Sequence, residues 1–191
     1  MGMPCLQNRL MRLLILTMIF LIPQLIFGQI QHQLTWNELP SIPDKEGFAG
    51  MFAGVSNGHL ICMGGANFPG EMPWKGGQKV WYDNIYVLSK KASSWKLANK
   101  KLPKPLAYGV SATHGNKIIL VGGNNKQGYY SDVYSVEYNN GEIQIDTLPP
   151  LPFPIANMTG TLVGNTLFIA GGDTSFTGMP IKVFLSLNLL N

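Results

Sequence analysis

The sequence predicts an all-β fold assembled from repeated four-stranded sheets, and three observations lead to it. The first is composition: 191 residues hold 22 Gly and 13 Pro, with 13% charged and 10% aromatic side chains. Low charge with abundant turn formers argues against a helical bundle or coiled coil, and the aromatics argue against disorder. The second is turn chemistry, because Asn57-Gly58, Gly115-Asn116, Asn140-Gly141 and Gly164-Asn165 each separate short apolar runs. Such dipeptides suit two-residue hairpins that need positive φ. The third is self-similarity. Laid over one another, Leu102-Pro103-Lys104-Pro105 and Leu151-Pro152-Phe153-Pro154 both run 22 residues without a gap to a Gly-Gly pair, Gly122-Gly123 and Gly171-Gly172. The offset of 49 residues is the period of a β-propeller blade. Gly64-Gly65 precedes Gly122-Gly123 by 58 residues, with its own Pro-rich entry Leu39-Pro40-Ser41-Ile42-Pro43 and 9 extra residues within 66–81.

Each copy reads as a β meander. First strands are expected at 51–55, 109–113 and 159–163, each closed by one of the turn dipeptides. Second strands, at 60–63, 118–121 and 167–170, are continuously apolar, as a strand covered on both faces by neighbouring blades should be. Third strands fall at 84–88, 132–136 and 182–187, and fourth strands at 94–97 and 142–145. Ordinary loop glycines would not recur at matching positions in three copies, so the Gly-Gly pairs mark a place where another backbone comes close.

The N-terminus is a separate matter. Arg9 and Arg12 precede an apolar run over 13–27 and then Gly28-Gln29, the pattern of a secretory signal peptide over residues 1–28. An uncleaved membrane anchor is the alternative, because Ile26 is larger than the usual residue before the cut. Without this segment, 12 lysines face 10 acidic residues, so the formal charge drops from +4 to +2 and no arginine remains. The basic balance therefore argues for targeting, to a secreted or periplasmic location, and for neither a nucleic-acid nor a membrane partner in the mature chain. Cys5 lies in the signal segment and Cys62, in an apolar string, reads as a small core residue. His32, His59 and His114 have no ligand-like neighbours, so neither a metal nor a cofactor is expected.

Gly-Gly at the end of the second strand, Tyr86 and Tyr134 in the third and Trp95 in the fourth resemble the kelch motif. The expectation is a kelch-type β-propeller of about three four-stranded blades: residues 44–100, 102–147 and an incomplete 151–191, within a partial propeller over 29–191. Residues 33–39 with Trp36 match the approach of Trp95 to Leu102-Pro103 and read as an orphan closing strand. Three blades are too few for a ring of 4–8, which implies roughly half of a six-bladed protein, a truncated or decayed product, or self-association through open blade edges.

Three strings carry a closer resemblance: the run from Asp44 through Phe48-Ala49-Gly50 to Asn57, then Gly64-Gly65-Ala66-Asn67-Phe68-Pro69-Gly70, and Ala107-Tyr108-Gly109-Val110-Ser111. They are similar to the last blades of the bacterial N-acetylneuraminate mutarotases. Leu148-Pro149-Pro150-Leu151-Pro152-Phe153-Pro154 resembles the start of the same enzymes, an order that marks their cyclically permuted branch. The resemblance covers about residues 34–184. It implies a six-bladed, periplasmic isomerase that converts the α anomer of sialic acid to the β anomer. It also implies a catalytic Glu followed by an Arg, on a blade that in this order would lie beyond Asn191, so residues 1–191 alone are expected to be inactive. Asn140-Gly141-Glu142 imitates that string but sits on a hairpin at the opposite face.

The link between blades and the loop joining strands two and three emerge on one face, which forms the mouth. Its candidate substrate-binding residues are Phe48, Asn67, Glu71, Trp74, Lys75, Tyr108, Asn124, Asn125, Asn157 and Asp173, with Thr174 beside them. Each residue taken singly also suits a solvated turn. With arginine absent, Lys75 and Lys126 are the candidates for an anionic substrate, and Trp74 and Trp81 could stack on a sugar. The expected partner is a small sugar acid or a glycan. A kelch module that binds a glycan or protein without catalysis is the competing reading. No nucleophile elbow, phosphate loop or His-Glu metal motif occurs.

Overall fold

The computed structural model describes residues 34–190. The expected signal segment over 1–28, Cys5 and His32 lie outside them. Residues 34–39 belong to a unit ending at Leu39, and the blades belong to the unit Pro40–Asn191.

The first blade opens with β1 (Phe52–Ser56) and β2 (His59–Met63), an antiparallel hairpin turning on Asn57 and Gly58 at φ 45° and 76°. The chain then makes a small hairpin, β3 (Ala66–Asn67) with β4 (Val80–Trp81), before β5 (Ile85–Ser89) and β6 (Lys96–Leu97) complete a sheet in the order β1-β2-β5-β6. The second blade repeats this plan. β7 (Val110–His114) pairs with β8 (Lys117–Val121), β9 (Asn124–Asn125) with β10 (Gly128–Tyr129), and β11 (Val133–Asn139) lies between β8 and β12 (Glu142–Leu148). The third blade has three described strands, β13 (Thr159–Val163), β14 (Thr166–Ala170) and β15 (Phe184–Asn188). This is the kelch meander, and the expected strands are present with their ends moved by one to three residues. The described part of the closing segment, 34–39, forms no strand, and Leu34 and Trp36 stand exposed.

Blades stack through alternating side chains of the second strand. On β8, Ile118 and Leu120 face the first blade and join Phe52, Ile61, Met63 and Ile85. Ile119 and Val121 point the other way and join Val110, Leu167 and Ile169. A strand whose side chains alternate between two faces becomes continuously apolar when both faces are covered. β8 is buried over Ile118–Val121, as expected. β14 alternates between buried and half-buried instead, because its second face meets no blade among the described residues.

Backbone contacts fix the blades' spacing. Gly65 donates its N–H to the carbonyl of Leu106, and Gly123 donates to that of Ile155, at 2.9 and 2.8 Å. Leu106 and Ile155 are themselves buried, each contributing about 1.5–3 kcal/mol of apolar burial. At the inner edge, Ser111 Oγ accepts from the Ala53 N–H and donates to its carbonyl, and Thr113 Oγ1 accepts from Val55. On the face away from the mouth, Ser56 Oγ accepts from the Tyr138 N–H and donates to the Asn116 carbonyl. Hydroxyls thus satisfy edge groups that a β-ladder would otherwise leave open.

The two Gly-Gly positions predict different sensitivities. A Cβ on Gly64 (φ +64°) would lie 2.2 Å from the Leu106 carbonyl oxygen, whereas one on Gly171 (φ +67°) would meet nothing within 4 Å. Gly64→Ala should lose about 3 kcal/mol or more, and Gly171→Ala about 1–2 kcal/mol from its backbone conformation alone. Urea unfolding of the two variants measures the difference, and equal losses would contradict the packing described.

Candidate functional site

One face of the three blades carries the loop hairpins and the entrances to the first strands. Ala49, Ala107 and Ala156 bridge to Ala66, Asn124 and Asp173, the residues that follow each Gly-Gly pair. The next residues, Gly50, Tyr108 and Asn157, all adopt left-handed backbone, at φ 64°, 63° and 59°. Tyr108 donates its N–H to Gly50 and Asn157 donates to Tyr108, at 2.9 and 2.8 Å. A hydrogen-bonded chain therefore runs around the mouth from blade to blade. Glycine adopts this conformation freely, while a bulky tyrosine in it is a true outlier. Strain of this kind concentrates at functional sites. The Tyr108 ring lies over Gly50, where a Cβ would come within 2.5 Å of it.

Side chains converge above this ring. Lys79 Nζ donates to Tyr108 Oη at 3.0 Å and lies 4.7 Å from the Tyr108 ring, 5.4 Å from Trp81 and 5.7 Å from Phe68. Trp81 Nε1 donates to Asn124 Oδ1 at 3.2 Å. Asn157 Nδ2 donates to both carboxylate oxygens of Asp173, at 3.0 and 3.2 Å. Burial pushes the Tyr129 hydroxyl's pKa up, and the Asp173 carboxylate beside it reinforces the shift, while Asn124 and Asn157 act the other way. Tyr129 thus keeps its proton at neutral pH. Phe176 stands edge-on to Tyr129 and Trp81, at 5.0 and 6.5 Å between ring centroids. A cavity of about 470 Å³ opens beside Lys79, lined by Glu46, Phe48, Ala66, Phe68 and Tyr108 among others. Apolar walls with a few convergent polar groups suit a small ligand.

The expected residues separate into three groups. Tyr108, Asn124, Asn157 and Asp173 meet in the mouth. Asn67, Asn124 and Asn125 are all buried; Asn67, which also lines the cavity, and Asn125 have structural work. Asn67 Nδ2 donates to Asp44 and to the Gly47 carbonyl, and its Oδ1 accepts from Tyr82; Asn125 holds the Pro105 carbonyl and accepts from Tyr130. These brackets pin each entry segment to its loop. The blade with Thr174 and Ile181 at the corresponding positions lacks one. Phe48 lines the cavity but packs edge-on against Tyr82 at 5.0 Å. The third group lies on the first-blade insert. Trp74 and Lys75 form an exposed single turn of 3-10 helix (Pro73–Lys75), and Lys75 reaches Glu71 at 3.8 Å, with both side chains about two-thirds exposed. Such a pair contributes little.

Lys79, Tyr129, Phe68 and Phe176 were not among the expected residues. Trp81-Tyr82 and Tyr129-Tyr130 are aligned aromatic pairs 48 residues apart, the one signal that could have located Tyr129. Glu142 sits at the β11–β12 turn, away from the mouth, beside a groove of about 460 Å³ between outer strands. Cys62 is half-buried, with its thiol pKa pushed up by burial, as suits a packing residue. Among the described residues no three His, Cys, Asp or Glu side chains group as metal ligands, and no helix is long and apolar enough to cross a membrane.

A family model described as N-acetylneuraminate epimerase matches residues 23–145. The N-acetylneuraminate epimerase of Haemophilus influenzae (strain PittEE) is 32% identical over 126 residues, covering 58% of this chain and 33% of the relative. That of Salmonella arizonae is 37% identical over 130 residues, covering 60% and 33%. The chain thus spans about a third of the length of the curated relatives it matches. The solved structure of YjhT, a kelch β-propeller, superposes with a TM-score of 0.54 at 27% identity, over 61% of this chain and 36% of that one.

The strained Tyr108 yields a test of the mouth's architecture. Tyr108→Gly releases about 1–2 kcal/mol of left-handed strain while removing a half-buried ring, so stability should stay within about 1 kcal/mol of the parent by urea unfolding. A loss of about 3 kcal/mol or more, as for a buried core aromatic, would show that the ring is a packing residue and not a mouth residue.

Proposed function

The chain belongs to the N-acetylneuraminate epimerase family, and from that premise we propose that it is part of a mutarotase-like isomerase that takes N-acetylneuraminate at this mouth. The observation that carries the reading is an aromatic-walled hollow lined by Lys79 and Tyr108, with Asn124, Asn157 and Asp173 of the second and third blades hydrogen-bonded on the same face. Aromatic faces suit the apolar face of a sugar ring, amides suit its hydroxyls, and an ammonium suits its carboxylate.

Anomerisation needs a base for the anomeric hydroxyl proton and an acid for the ring oxygen, so that the ring opens, rotates and recloses. Of the two described mouth carboxylates, Asp173 already accepts from Asn157 and lies beside protonated Tyr129, and Glu46 is ion-paired to Lys45, arrangements that orient a ligand better than they exchange protons. The acid/base step is therefore assigned to groups outside the described residues, and these blades hold the sugar. Residues 1–28 are proposed as an export signal that places the protein outside the cytoplasm. The engagement of Asp173 also favours a second reading, a kelch module that binds the sugar without turning it over.

Proton NMR of α-enriched N-acetylneuraminate tests the proposal. Residues 1–191 should broaden the sugar signals saturably while leaving α-to-β exchange near its spontaneous rate, and a member of the chain's family carrying further blades should accelerate exchange about 100-fold or more. An equal response to a neutral disaccharide, or none, would contradict the sugar-acid reading. Failure of further blades to accelerate exchange would leave the binding module.

A further inference from the structure

Lys79 is a half-buried cation with no carboxylate within 4 Å among the described residues. Lys101 and Lys104, by contrast, reach Asp83 and Asp132 at 2.8 Å. The charge of Lys79 is instead met by the faces of Phe68, Trp81 and Tyr108. Aromatic faces attract a cation without neutralising it, so its field still acts on the hollow. Only one of its three ammonium protons is used, by Tyr108 Oη. Glu46 lines the same cavity, but it is ion-paired to Lys45 at 3.3 Å.

Lys79 also lines a second hollow of about 280 Å³, together with Trp81, Asn125 and Lys126. Lys126, with Trp81 and Phe176, reappears around an adjoining hollow of about 250 Å³. Two lysines without an acidic partner among the described residues therefore border a recess with aromatic walls. The chemistry that fits is a carboxylate carried on a ring with an apolar face.

We propose that Lys79 is the specificity-determining residue that holds the ligand's carboxylate, with Lys126 bordering the same recess and Trp81 under the ring. This inference rests on the sugar-acid reading above. It gives the anion-holding role to a lysine already oriented by Tyr108 and two other rings, in a chain whose described residues contain no arginine. Lys75, paired with Glu71 on an exposed turn, is relieved of that role.

The test compares binding of N-acetylneuraminate and its uncharged methyl ester, read by intrinsic tryptophan fluorescence, in the parent protein, Lys79→Met, Lys79→Gln and Lys79→Arg, each checked for fold by circular dichroism. The parent should prefer the acid by about tenfold or more, one factor of ten being the usual scale of a single charged contact. Lys79→Met and Lys79→Gln should bind acid and ester alike, and Lys79→Arg should keep the preference. A preference for the acid retained in both neutral variants overturns the role of Lys79 and leaves the sugar-acid reading standing. Absence of any sugar response in the parent overturns that reading and the inference together.

Discussion

Neighbouring blades meet backbone to backbone at the Gly-Gly pairs. The N–H of Gly65 meets the Leu106 carbonyl and that of Gly123 meets Ile155, and the glycines before them, Gly64 and Gly122, have no room for a side chain. A buried amide and carbonyl need partners, and this contact supplies them while setting the distance between sheets. The two apolar clusters, on either face of β8, fill the space so defined. An alanine at the first glycine would push the next blade's entry segment outward, and with it every residue that segment carries.

Those residues are the mouth. The entry segments held at Leu106 and Ile155 continue directly into Tyr108 and Asn157, whose amides pass from blade to blade. Spacing between blades is therefore also spacing between functional side chains. Asn67 and Asn125 refine it by tying entry to loop within a blade. The polar residues beyond them, Asn124 and Asp173, are then positioned by bridges to Ala107 and Ala156. A rigid frame of this kind is what loops need in order to carry recognition.

Much of the frame was legible in the sequence because it repeats. Gly-Gly pairs, Asn-Gly turns and Pro-rich entries recur at a common offset, and the resulting strands differ from those observed by only a few residues. The continuous burial expected of every second strand was met in β8, the one with described blades on both sides. The hairpins β3–β4 and β9–β10 were missed, being two-residue pairings inside loops. Asn67 and Asn125 looked like recognition residues because sequence shows a polar side chain without showing its partners. Lys79 was invisible for a related reason: its aromatic surroundings come from Phe68, Trp81 and Tyr108, and no local pattern links a lysine to a ring 29 residues away.

One mouth, built by blade spacing, is proposed to receive an anionic sugar against Trp81. Trp36 and Trp74 are exposed, Trp81 donates its indole N–H to Asn124, and Trp95 is tied to the Pro40 carbonyl by its own. Fluorine NMR of 5-fluorotryptophan-labelled protein titrated with N-acetylneuraminate reads the Trp81 environment directly. The Trp81 resonance should shift saturably with Trp95 unmoved. A stationary Trp81, or a ligand-dependent shift at Trp95 alone, would contradict it.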